Sequence, residues 1–264
     1  MSLVARFAVL ACLVLPPGLQ AATCSRESPA HTVALIELYT SEGCSSCPPA
    51  DRWLSELTRR FPAEQLVPLA LHVDYWDYIG WQDPFAQPMF AERQQWLSRL
   101  ASGSTVYTPE VFSGMKEVRD WRNPAGFAEK IQAINRQPAR ATIALHMQTA
   151  GADRVELQVR FTAGKPGREL QKPQNLQGTL VVYEDHLGSA VRAGENRGAT
   201  LQHEHVVRYW SAPVVLDAAS GVGTLHQIVS LPAAWKRANL GVAAFVQDSR
   251  AGEVLQAVSM PGCV

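Results

Sequence analysis

Two kinds of hydrophobic pattern alternate along the first half of the chain. Short, nearly continuous apolar runs at residues 32–38 and 66–73 are rich in branched side chains, which is typical of strands buried on both faces. Residues 50–61 and 90–102 place their large apolar side chains three or four positions apart, and this spacing predicts two amphipathic helices. A strand joined to a parallel strand through a helix implies a sheet covered by helices.

The pattern continues with a strand over residues 106–112 that a proline interrupts, a short strand near Val118 and a third helix that begins at Asn123. Asn is a favoured helix cap, and Pro124 occupies the first helical position, where a missing N–H is tolerated. These elements predict an α/β domain over residues 23–138, with a mixed sheet and helices on both faces.

The second half of the chain has a different pattern. From about residue 140, short runs of alternating apolar and polar residues are separated by Gly, Pro, Asn and Asp. Such alternation is typical of antiparallel strands with one buried face. We therefore expect a second, mainly antiparallel and β-sandwich-like domain over residues 139–264.

The amino terminus has the pattern of a secretory signal peptide. A basic residue precedes an apolar run over residues 7–15, and the small residues Ala21 and Ala22 follow. The run is too short to span a bilayer, and no later segment is long and apolar enough to do so. We expect residues 1–22 to be removed and the mature protein to be periplasmic or secreted. A lipoprotein acylated at Cys24 is a less favoured alternative.

The composition excludes several classes of partner. The chain contains 24 Lys and Arg residues and 24 Asp and Glu residues, so it has no net basic charge that would attract nucleic acid or anionic lipid. Its hydrophobic content of 47% excludes intrinsic disorder. We expect a monomer with no nucleic-acid partner and no membrane contact after signal cleavage.

Four cysteines remain after removal of the signal peptide, an even number in an oxidising compartment. Cys24 and Cys263 lie at the two ends of the mature chain, where neither is placed for chemistry, and we expect them to form a structural disulfide. In the chain-entropy model, closing so long a loop stabilises a fold by roughly 5 kcal/mol at most. This pairing leaves Cys44 and Cys47 to each other.

The segment Cys44-Ser45-Ser46-Cys47 stands between a predicted buried strand and a predicted helix. A dithiol with this spacing can alternate between a disulfide and two thiols, because the first cysteine attacks and the second resolves the mixed disulfide. Amides at a helix start favour the thiolate of the first cysteine. The same spacing also fits half of a metal site, for which two further ligands are missing, or a permanent staple. We expect no cofactor and no metal.

Neighbouring residues oppose a strongly acidic Cys44. Pro48 and Pro49 disturb the first turn of the helix, so that Cys44 lies farther from the helix amides. Glu42 and Asp51 add negative charge, which disfavours a thiolate. We therefore expect the pKa of Cys44 to lie above about 5, unlike that of the strongest disulfide oxidants.

Several motifs extend this interpretation. The stretch IELYTSEGCSSC resembles the active site of thioredoxin-fold proteins, and Thr108-Pro109 matches the position of the cis-proline that faces their cysteines. The stretches ELYTSEGCSSCPPAD, HVDYWDYIGWQDPF, VYTPEVFSG and RAGENRGATLQHEHVVR together resemble a family of bacterial secreted thioredoxin-like proteins, catalogued as domain of unknown function twelve twenty-three. The resemblance spans nearly the whole mature chain.

This resemblance implies a role for each matching residue. Cys44 would be the exposed nucleophile and Cys47 the resolving thiol. Thr108 and Pro109 would shape the substrate groove. Glu37 would be the buried acid that accepts a proton during reduction, although a strand end facing solvent is an equally good interpretation of this residue.

The loop after the second strand is dense in aromatic and acidic residues. Trp76, Asp77 and Tyr78 leave the sheet at the end where α/β proteins bind ligands. Aromatic side chains often serve packing alone, so we expect this loop to pack and to contribute to the substrate groove rather than to take part directly in chemistry.

Two polar motifs have simpler interpretations. His203 and His205 lie on one face of a predicted strand and form a possible metal pair, but no third ligand has the right spacing. We therefore favour solvated strand residues. Residues 192–198, RAGENRG, are interpreted as a polar turn, since no phosphate-loop pattern surrounds the glycines.

The favoured hypothesis is an exported thiol–disulfide oxidoreductase that acts on a protein or a small thiol and is recycled by an unknown redox partner. The alternative is a non-catalytic binding module for a peptide, a ligand or a copper ion, in which Cys44–Cys47 is a structural disulfide. Copper would need a histidine ligand, and His72, at the end of the second strand, is the nearest candidate.

Overall fold

The computed structural model describes residues 22–164 and 175–263, so the predicted signal peptide, apart from its last residue, lies outside the described residues. The strands and α-helices are, in chain order, β1 (Thr23–Glu27), β2 (Ala34–Thr40), α1 (Pro48–Arg60), β3 (Leu66–His72), α2 (Pro88–Leu100), β4 (Glu110–Ser113), β5 (Lys116–Glu117), α3 (Pro124–Asn135), β6 (Ala141–Thr149), β7 (Arg154–Ala163), β8 (Leu176–Glu184), β9 (Leu187–Ala190), β10 (Thr200–His203), β11 (Val206–Trp210), β12 (Val214–Val215), β13 (Val222–Ser230), β14 (Leu240–Asp248) and β15 (Val254–Pro261). None of the helices in this part of the chain is long and apolar enough to cross a membrane.

Each of the three helices begins at a proline, which needs no hydrogen-bond acceptor at the first helical position. In α3 the Asn123 side chain caps the helix by accepting a hydrogen bond from the Gly126 amide. In α1 regular helix begins only at Pro48, and Cys47 occupies the N-cap position. Cys44 therefore lies in a turn ahead of the helix. In this position the helix amides stabilise a thiolate on Cys44 less strongly than they would at the helix start.

A nine-stranded mixed sheet forms the centre of the molecule. Its strand order is β15-β14-β8-β11-β3-β2-β4-β5, and β12 pairs with β8 outside this path. The strand β3 lies parallel to both β2 and β11, whereas the remaining pairs are antiparallel. The sequence prediction of a mixed α/β fold is confirmed at this level.

The side chains of β2 alternate between two apolar clusters, as the period of a strand requires. Ala34, Ile36 and Leu38 share one cluster with α1 and α3, and Leu35 and Tyr39 share another with α2. All seven residues of β2 are buried. Burying one large apolar side chain contributes about 1.5–3 kcal/mol, so helices on both faces hold β2 firmly in place.

A second, four-stranded antiparallel sheet has the order β1-β6-β7-β13. It packs against strands β8, β14 and β15 of the nine-stranded sheet. A single apolar cluster joins side chains of β6, β7 and β13 to others from β8, β14 and β15. The alternating pattern of the second half thus forms antiparallel strands, and two sheets face each other there.

Strand pairing crosses the predicted domain boundary in both sheets. The strand β1 pairs with β6, and β11 pairs with β3, with Val206 opposite Ala70. The Ala70 amide donates a hydrogen bond of 2.8 Å to the His205 carbonyl, because the outer edge of β3 carries backbone groups that need partners. Strands from before and after residue 138 therefore share both the four-stranded and the nine-stranded sheet, and the division into two domains at this residue stays a prediction.

The disulfide between Cys24 and Cys263 joins β1 to the segment that follows β15, with a Cα–Cα distance of 6.1 Å. It links positions that are 239 residues apart. The disulfide thereby links the four-stranded sheet, which contains β1, to the end of the nine-stranded sheet at β15.

Candidate functional site

The Cys44–Cys47 disulfide lies in the turn that connects β2 to α1. The Cα atoms of the two cysteines are 5.5 Å apart. The Cys44 amide donates to the Ser41 carbonyl at 3.2 Å, and the Cys47 amide donates to the Cys44 carbonyl at the same distance. The Cys47 carbonyl then accepts the first hydrogen bonds of α1, including one from the Asp51 amide. The buried strand and the helix thus fix the turn at both ends.

The expectation of an exposed nucleophile is wrong. Cys44 is only 1% exposed and Cys47 is fully buried, although Ser45 and Ser46 between them face solvent. The loop after β3 forms part of the cover over the cysteines, because Trp76 and Ile79 pack against Gly43, the residue before Cys44. A thiol can reach Cys44 Sγ only if the cover moves.

The Thr108-Pro109 segment also faces Cys44. The peptide bond between the two residues is cis, and the Thr108 carbonyl oxygen lies 3.7 Å from Cys44 Sγ. This carbonyl accepts a hydrogen bond from Ser46 Oγ at 3.3 Å. Trp76 Nε1 donates to Thr108 Oγ1 at 2.7 Å. The structure therefore brings both cysteines, Thr108, Pro109 and Trp76 together.

Asp77 and Tyr78 belong to a short 3-10 helix, Asp77–Ile79, in the same loop. Asp77 Oδ1 accepts a hydrogen bond from the Asp83 amide, and this contact stabilises the loop. The Tyr78 side chain points into solvent and is 82% exposed. These two residues lie beside Trp76, and neither forms a hydrogen bond with the cysteines in the described part of the chain.

Glu37 lies on the face of β2 that packs against α2, opposite the face that packs against α1 and α3. It is fully buried and does not face solvent. Its carboxylate accepts hydrogen bonds from Arg93 Nε and Nη2 at 2.6 and 2.7 Å, and from the Tyr39 hydroxyl at 2.8 Å. Although burial opposes charge on Arg93, the Glu37 carboxylate keeps the pKa of Arg93 raised. The guanidinium also lies 4.7 Å from the centre of the Trp210 ring. Glu37 is thus committed to a structural ion pair.

Buried titratable groups do lie behind the disulfide, but sequence reasoning did not select them as site residues. All five side chains are buried, and we call them the buried polar cluster: Glu42, Asp51, His72, Asp83 and His203. Glu42 comes two residues before Cys44, and Asp51 comes four residues after Cys47. Residues four apart on a helix share one face, so the Asp51 carboxyl lies on the Cys47 side of α1.

Asp51 and Glu42 are joined through His203. Thr40 Oγ1 donates to Asp51 Oδ1 at 2.8 Å, and Asp51 Oδ2 lies 3.8 Å from His203 Nδ1. On the other side of the ring, His203 Nε2 lies 3.0 Å from Glu42 Oε1. Trp81 Nε1 donates to the second oxygen of Glu42 at 2.9 Å. Burial raises the pKa of Asp51, whose carboxyl therefore binds a proton more readily than a solvated aspartate does.

His72 and Asp83 form the outer part of the cluster. His72 Nδ1 lies 2.7 Å from Asp83 Oδ2, which also accepts a hydrogen bond from the Glu42 amide. Despite their burial, each partner favours the charge of the other, so the pKa of His72 is raised and that of Asp83 is lowered. The His72 and His203 rings meet edge to face with their centres 4.9 Å apart. Among the residues that the structure describes, none forms a hydrogen bond with the buried atoms His72 Nε2 and His203 Nδ1.

The paired histidines of the predicted strand do not form a metal pair. His203 ends β10 and contacts Glu42, whereas His205 adopts a positive φ of 56° and its Nδ1 lies 3.0 Å from Asp185 Oδ1. Both rings are buried, so the interpretation as solvated residues is also wrong. Within residues 22–164 and 175–263 no group of three His, Cys, Asp or Glu side chains has the geometry to hold a metal ion.

Residues 192–198, interpreted as a polar turn, reach across to the cysteines, and we call them the covering turn. Asn196 Nδ2 donates to the Glu42 carbonyl at 2.9 Å and to the Cys44 carbonyl at 2.8 Å. Ser45 donates to Glu195 Oε2 from its amide at 2.9 Å and from its hydroxyl at 2.7 Å. Four hydrogen bonds therefore attach the covering turn to the cysteine turn.

Gly194 allows the covering turn to approach the aromatic loop. Its φ is +71°, and a Cβ atom there would lie 3.1 Å from the Ile79 side chain. The contacts of the covering turn join residues about 150 positions apart in the chain. In the sequence the segment carries only a turn signal, because hydrophobic periodicity contains no information about such distant polar contacts.

Comparisons with known proteins agree with the resemblance found in the sequence. A family model described as a protein of unknown function (DUF1223) matches residues 35–247. The solved structure of protein AGR_C_4864 from Agrobacterium tumefaciens is similar, with a TM-score of 0.60 and 26% identity, over 89% of this chain and 96% of that chain. The structure of HBP35 of Porphyromonas gingivalis has a TM-score of 0.67 and 16% identity, over 89% of this chain and 76% of that chain. No curated protein matches the chain.

Proposed function

The chain belongs to the DUF1223 family of proteins of unknown function, and we propose that it is an exported thiol–disulfide oxidoreductase that acts through Cys44 and Cys47. The observation that supports this proposal is the position of the disulfide, which lies between a buried strand and a helix start and in front of buried titratable groups. Such groups are concentrated at reactive sites. The element order around this turn also resembles that of thioredoxin-fold proteins.

Loop length supports exchange over a purely structural role. In the chain-entropy model a disulfide that closes a loop of four residues stabilises the fold by only about 2 kcal/mol, whereas one that spans the whole chain gives roughly 5 kcal/mol. Cys24–Cys263, with its separation of 239 residues, is thus suited to hold the fold together. Cys44–Cys47, with a separation of 3, contributes much less as a staple.

In the proposed reaction a substrate thiolate attacks Cys44 Sγ, a new substrate–Cys44 bond forms, and the Cys44–Cys47 bond breaks. The electron pair leaves on Cys47, which takes a proton from the Asp51 carboxyl. A second substrate thiolate then attacks the substrate sulfur of the mixed disulfide, so that Cys44 leaves as a thiolate and an oxidised substrate is released. Reduction of a substrate disulfide follows the reverse path.

In this scheme Asp51 takes the proton-carrying role that the sequence resemblance implied for Glu37. Support comes from its position one helical turn after Cys47 and from its raised pKa. His203 and Glu42 would hold the Asp51 carboxyl in place and share its proton. Protein thiols or small thiols are the proposed substrates, with a separate redox partner to recycle the site.

Export is part of the proposal. Its support is the signal-peptide pattern of residues 1–22 together with two disulfides, which persist in oxidising compartments.

A redox titration tests the proposed function. We expect a potential between roughly −120 and −270 mV for Cys44–Cys47, within the range of exchange-active proteins. Turnover of an insulin-type disulfide should disappear in Cys44→Ala. A potential below roughly −300 mV, or equal turnover without Cys44, would show that the disulfide is a structural staple.

The burial of both cysteines favours a second candidate, a non-catalytic binding module with a permanent Cys44–Cys47 disulfide. The same titration separates the two candidates. A copper-binding version has less support, because His72 is fully buried and its Nδ1 is engaged with Asp83.

A further inference from the structure

Glu195 places a carboxylate on the residue that follows Cys44. Its Oε2 atom accepts both the amide and the hydroxyl hydrogen bonds of Ser45, at 2.9 and 2.7 Å. Glu195 itself is exposed to solvent. The two hydrogen bonds from Ser45 lower the pKa of Glu195, so the carboxylate is ionised at neutral pH. A negative charge is therefore held on Ser45, the residue directly after the cysteine that a substrate thiolate must attack.

The other solvent-accessible charged groups near this point have less fixed positions. Asp74 and Asp77 lie in the loop whose Trp76 and Ile79 pack on Gly43, and both acids are partly exposed. Arg192 and Arg197 belong to the covering turn and are exposed. Among the described residues, neither arginine forms a hydrogen bond or ion pair with the cysteine turn, so solvent and salt screen their charges more effectively than they screen Glu195.

We propose that Glu195 makes the Cys44–Cys47 disulfide select thiols by charge, favouring a cationic thiol over an anionic one. The inference rests on the proposed function and adds a substrate class to it: cysteines flanked by Lys or Arg in a polypeptide, in preference to small acidic thiols. The physical reason is that positive charge on the incoming molecule is attracted by Glu195 while the thiolate approaches Cys44, whereas a second negative charge is repelled.

The covering turn also explains why such selection acts on the rate. Because Glu195 is hydrogen-bonded to Ser45, directly after Cys44, an incoming thiol comes close to this carboxylate before a bond to the sulfur can form. The reaction is then the exchange written above: the thiol sulfur bonds to Cys44, the electron pair of the disulfide goes to Cys47, and Cys47 takes up a proton. Glu195 touches none of these atoms and acts as a specificity residue.

The test measures the rate at which three thiols of similar size reduce the Cys44–Cys47 disulfide. Cysteamine is cationic, 2-mercaptoethanol is neutral and 3-mercaptopropionate is anionic. The ratio of the cysteamine rate to the 3-mercaptopropionate rate is compared between the wild type and Glu195→Gln, so that the intrinsic reactivity of each thiol cancels. Gln keeps an oxygen that can accept the Ser45 hydrogen bonds.

We expect the ratio to fall about three- to tenfold in Glu195→Gln at low ionic strength, and the difference to shrink in about 0.5 M salt. Glu129→Gln is the matched control, because Glu129 is an exposed acid on α3 that has no contact with the cysteine turn in the described part of the chain. This variant should leave the ratio unchanged.

An unchanged ratio in Glu195→Gln would overturn the inference while the proposed function stands. The inference is also overturned if the wild type prefers 3-mercaptopropionate and loses this preference in Arg197→Gln, since an arginine would then govern selection. If none of the three thiols reduces the disulfide, both the inference and the proposed function are wrong.

Discussion

At the scale of single residues, two buried acids near β2, Glu37 and Asp51, have different surroundings. Glu37 has two hydrogen bonds from the Arg93 guanidinium and one from Tyr39. Asp51 has one hydrogen bond from Thr40 and an imidazole at 3.8 Å. Glu37 thus has a bidentate ion partner, whereas burial raises the pKa of the Asp51 carboxyl, which has no ion partner this close. Asp51 is therefore the acid to which the proposed mechanism assigns the proton.

The raised pKa of Asp51 predicts a pH-dependent stability. A carboxyl whose folded pKa lies above its unfolded value of 3.8 makes the wild type lose stability as pH rises from that value through the folded pKa. Asp51→Asn lacks this loss, so its free energy of unfolding relative to the wild type should increase over the same pH window. Urea unfolding between pH 4 and pH 8 measures the difference.

Glu37→Gln is the control for this prediction. Because it leaves the Arg93 charge buried without its partner, it should destabilise the fold by about 3 kcal/mol or more at neutral pH. A pH-independent difference between Asp51→Asn and the wild type would contradict the prediction. The same Asp51 variant should slow proton-coupled resolution by Cys47 about 100-fold, a change that Glu37→Gln should not reproduce.

At the scale of elements, the site depends on which segments meet at the end of β2. The proline start of α1 places Cys47 at the N-cap and Cys44 in the preceding turn. The covering turn, between β9 and β10, then holds this turn from the far half of the chain. The position of Cys44 is therefore set by a loop and by hydrogen bonds more than by the helix.

Asn196→Ala should both weaken the fold and open the site. The change removes two hydrogen bonds to backbone carbonyls, which lowers the free energy of unfolding by about 1–3 kcal/mol. Since the covering turn loses a main attachment, reduction of Cys44–Cys47 by 2-mercaptoethanol should be several times faster. Urea unfolding and the loss of the disulfide over time measure the two effects.

Asn135 provides a closely matched control. Its Nδ2 atom also donates to two carbonyls, those of Thr32 and Gln65, both at 2.9 Å, at a place remote from the cysteine turn. Asn135→Ala should lower stability by a similar amount and leave the reduction rate unchanged. Equal reduction rates in the two variants would mean that general destabilisation, rather than the covering turn, controls access to Cys44.

At the scale of the whole molecule, the two halves of the chain share their sheets. The strand β1 belongs to the four-stranded sheet, and β11 pairs with β3 inside the nine-stranded sheet. Cys24–Cys263 adds a covalent link across this arrangement. Unfolding of either half would therefore break strand pairs that it shares with the other half.

The shared sheets predict a single cooperative unfolding transition. Replacing both Cys24 and Cys263 with Ser should lower the free energy of unfolding by about 2–5 kcal/mol, because the unfolded chain is no longer constrained. Fluorescence and far-ultraviolet circular dichroism should report the same midpoint for the wild type and for this variant. Two separate transitions would contradict the cooperative unit and favour the division at residue 138.

Local patterns determined much of this protein. Continuous apolar runs predicted β2 and β3, helical spacing predicted α1 and α2, and Asn123 with Pro124 predicted the start of α3, because burial and backbone capping act over a few neighbouring residues. The same is true of the antiparallel character of the second half. The motifs were sufficient for the family, which the match over residues 35–247 confirms.

Tertiary structure alone decided the surroundings of the cysteines. Glu37 lies on the α2 face, and Asp51, His203 and Glu42 form the buried groups behind the disulfide. Glu195, Asn196 and the burial of Cys44 also depend on contacts between residues about 150 positions apart. Polar contacts have no period along a sequence, and their partners are chosen by how sheets and loops pack. For this reason the cysteine pair was recognisable in the sequence, whereas the buried acids near it and the turn that contacts it were not.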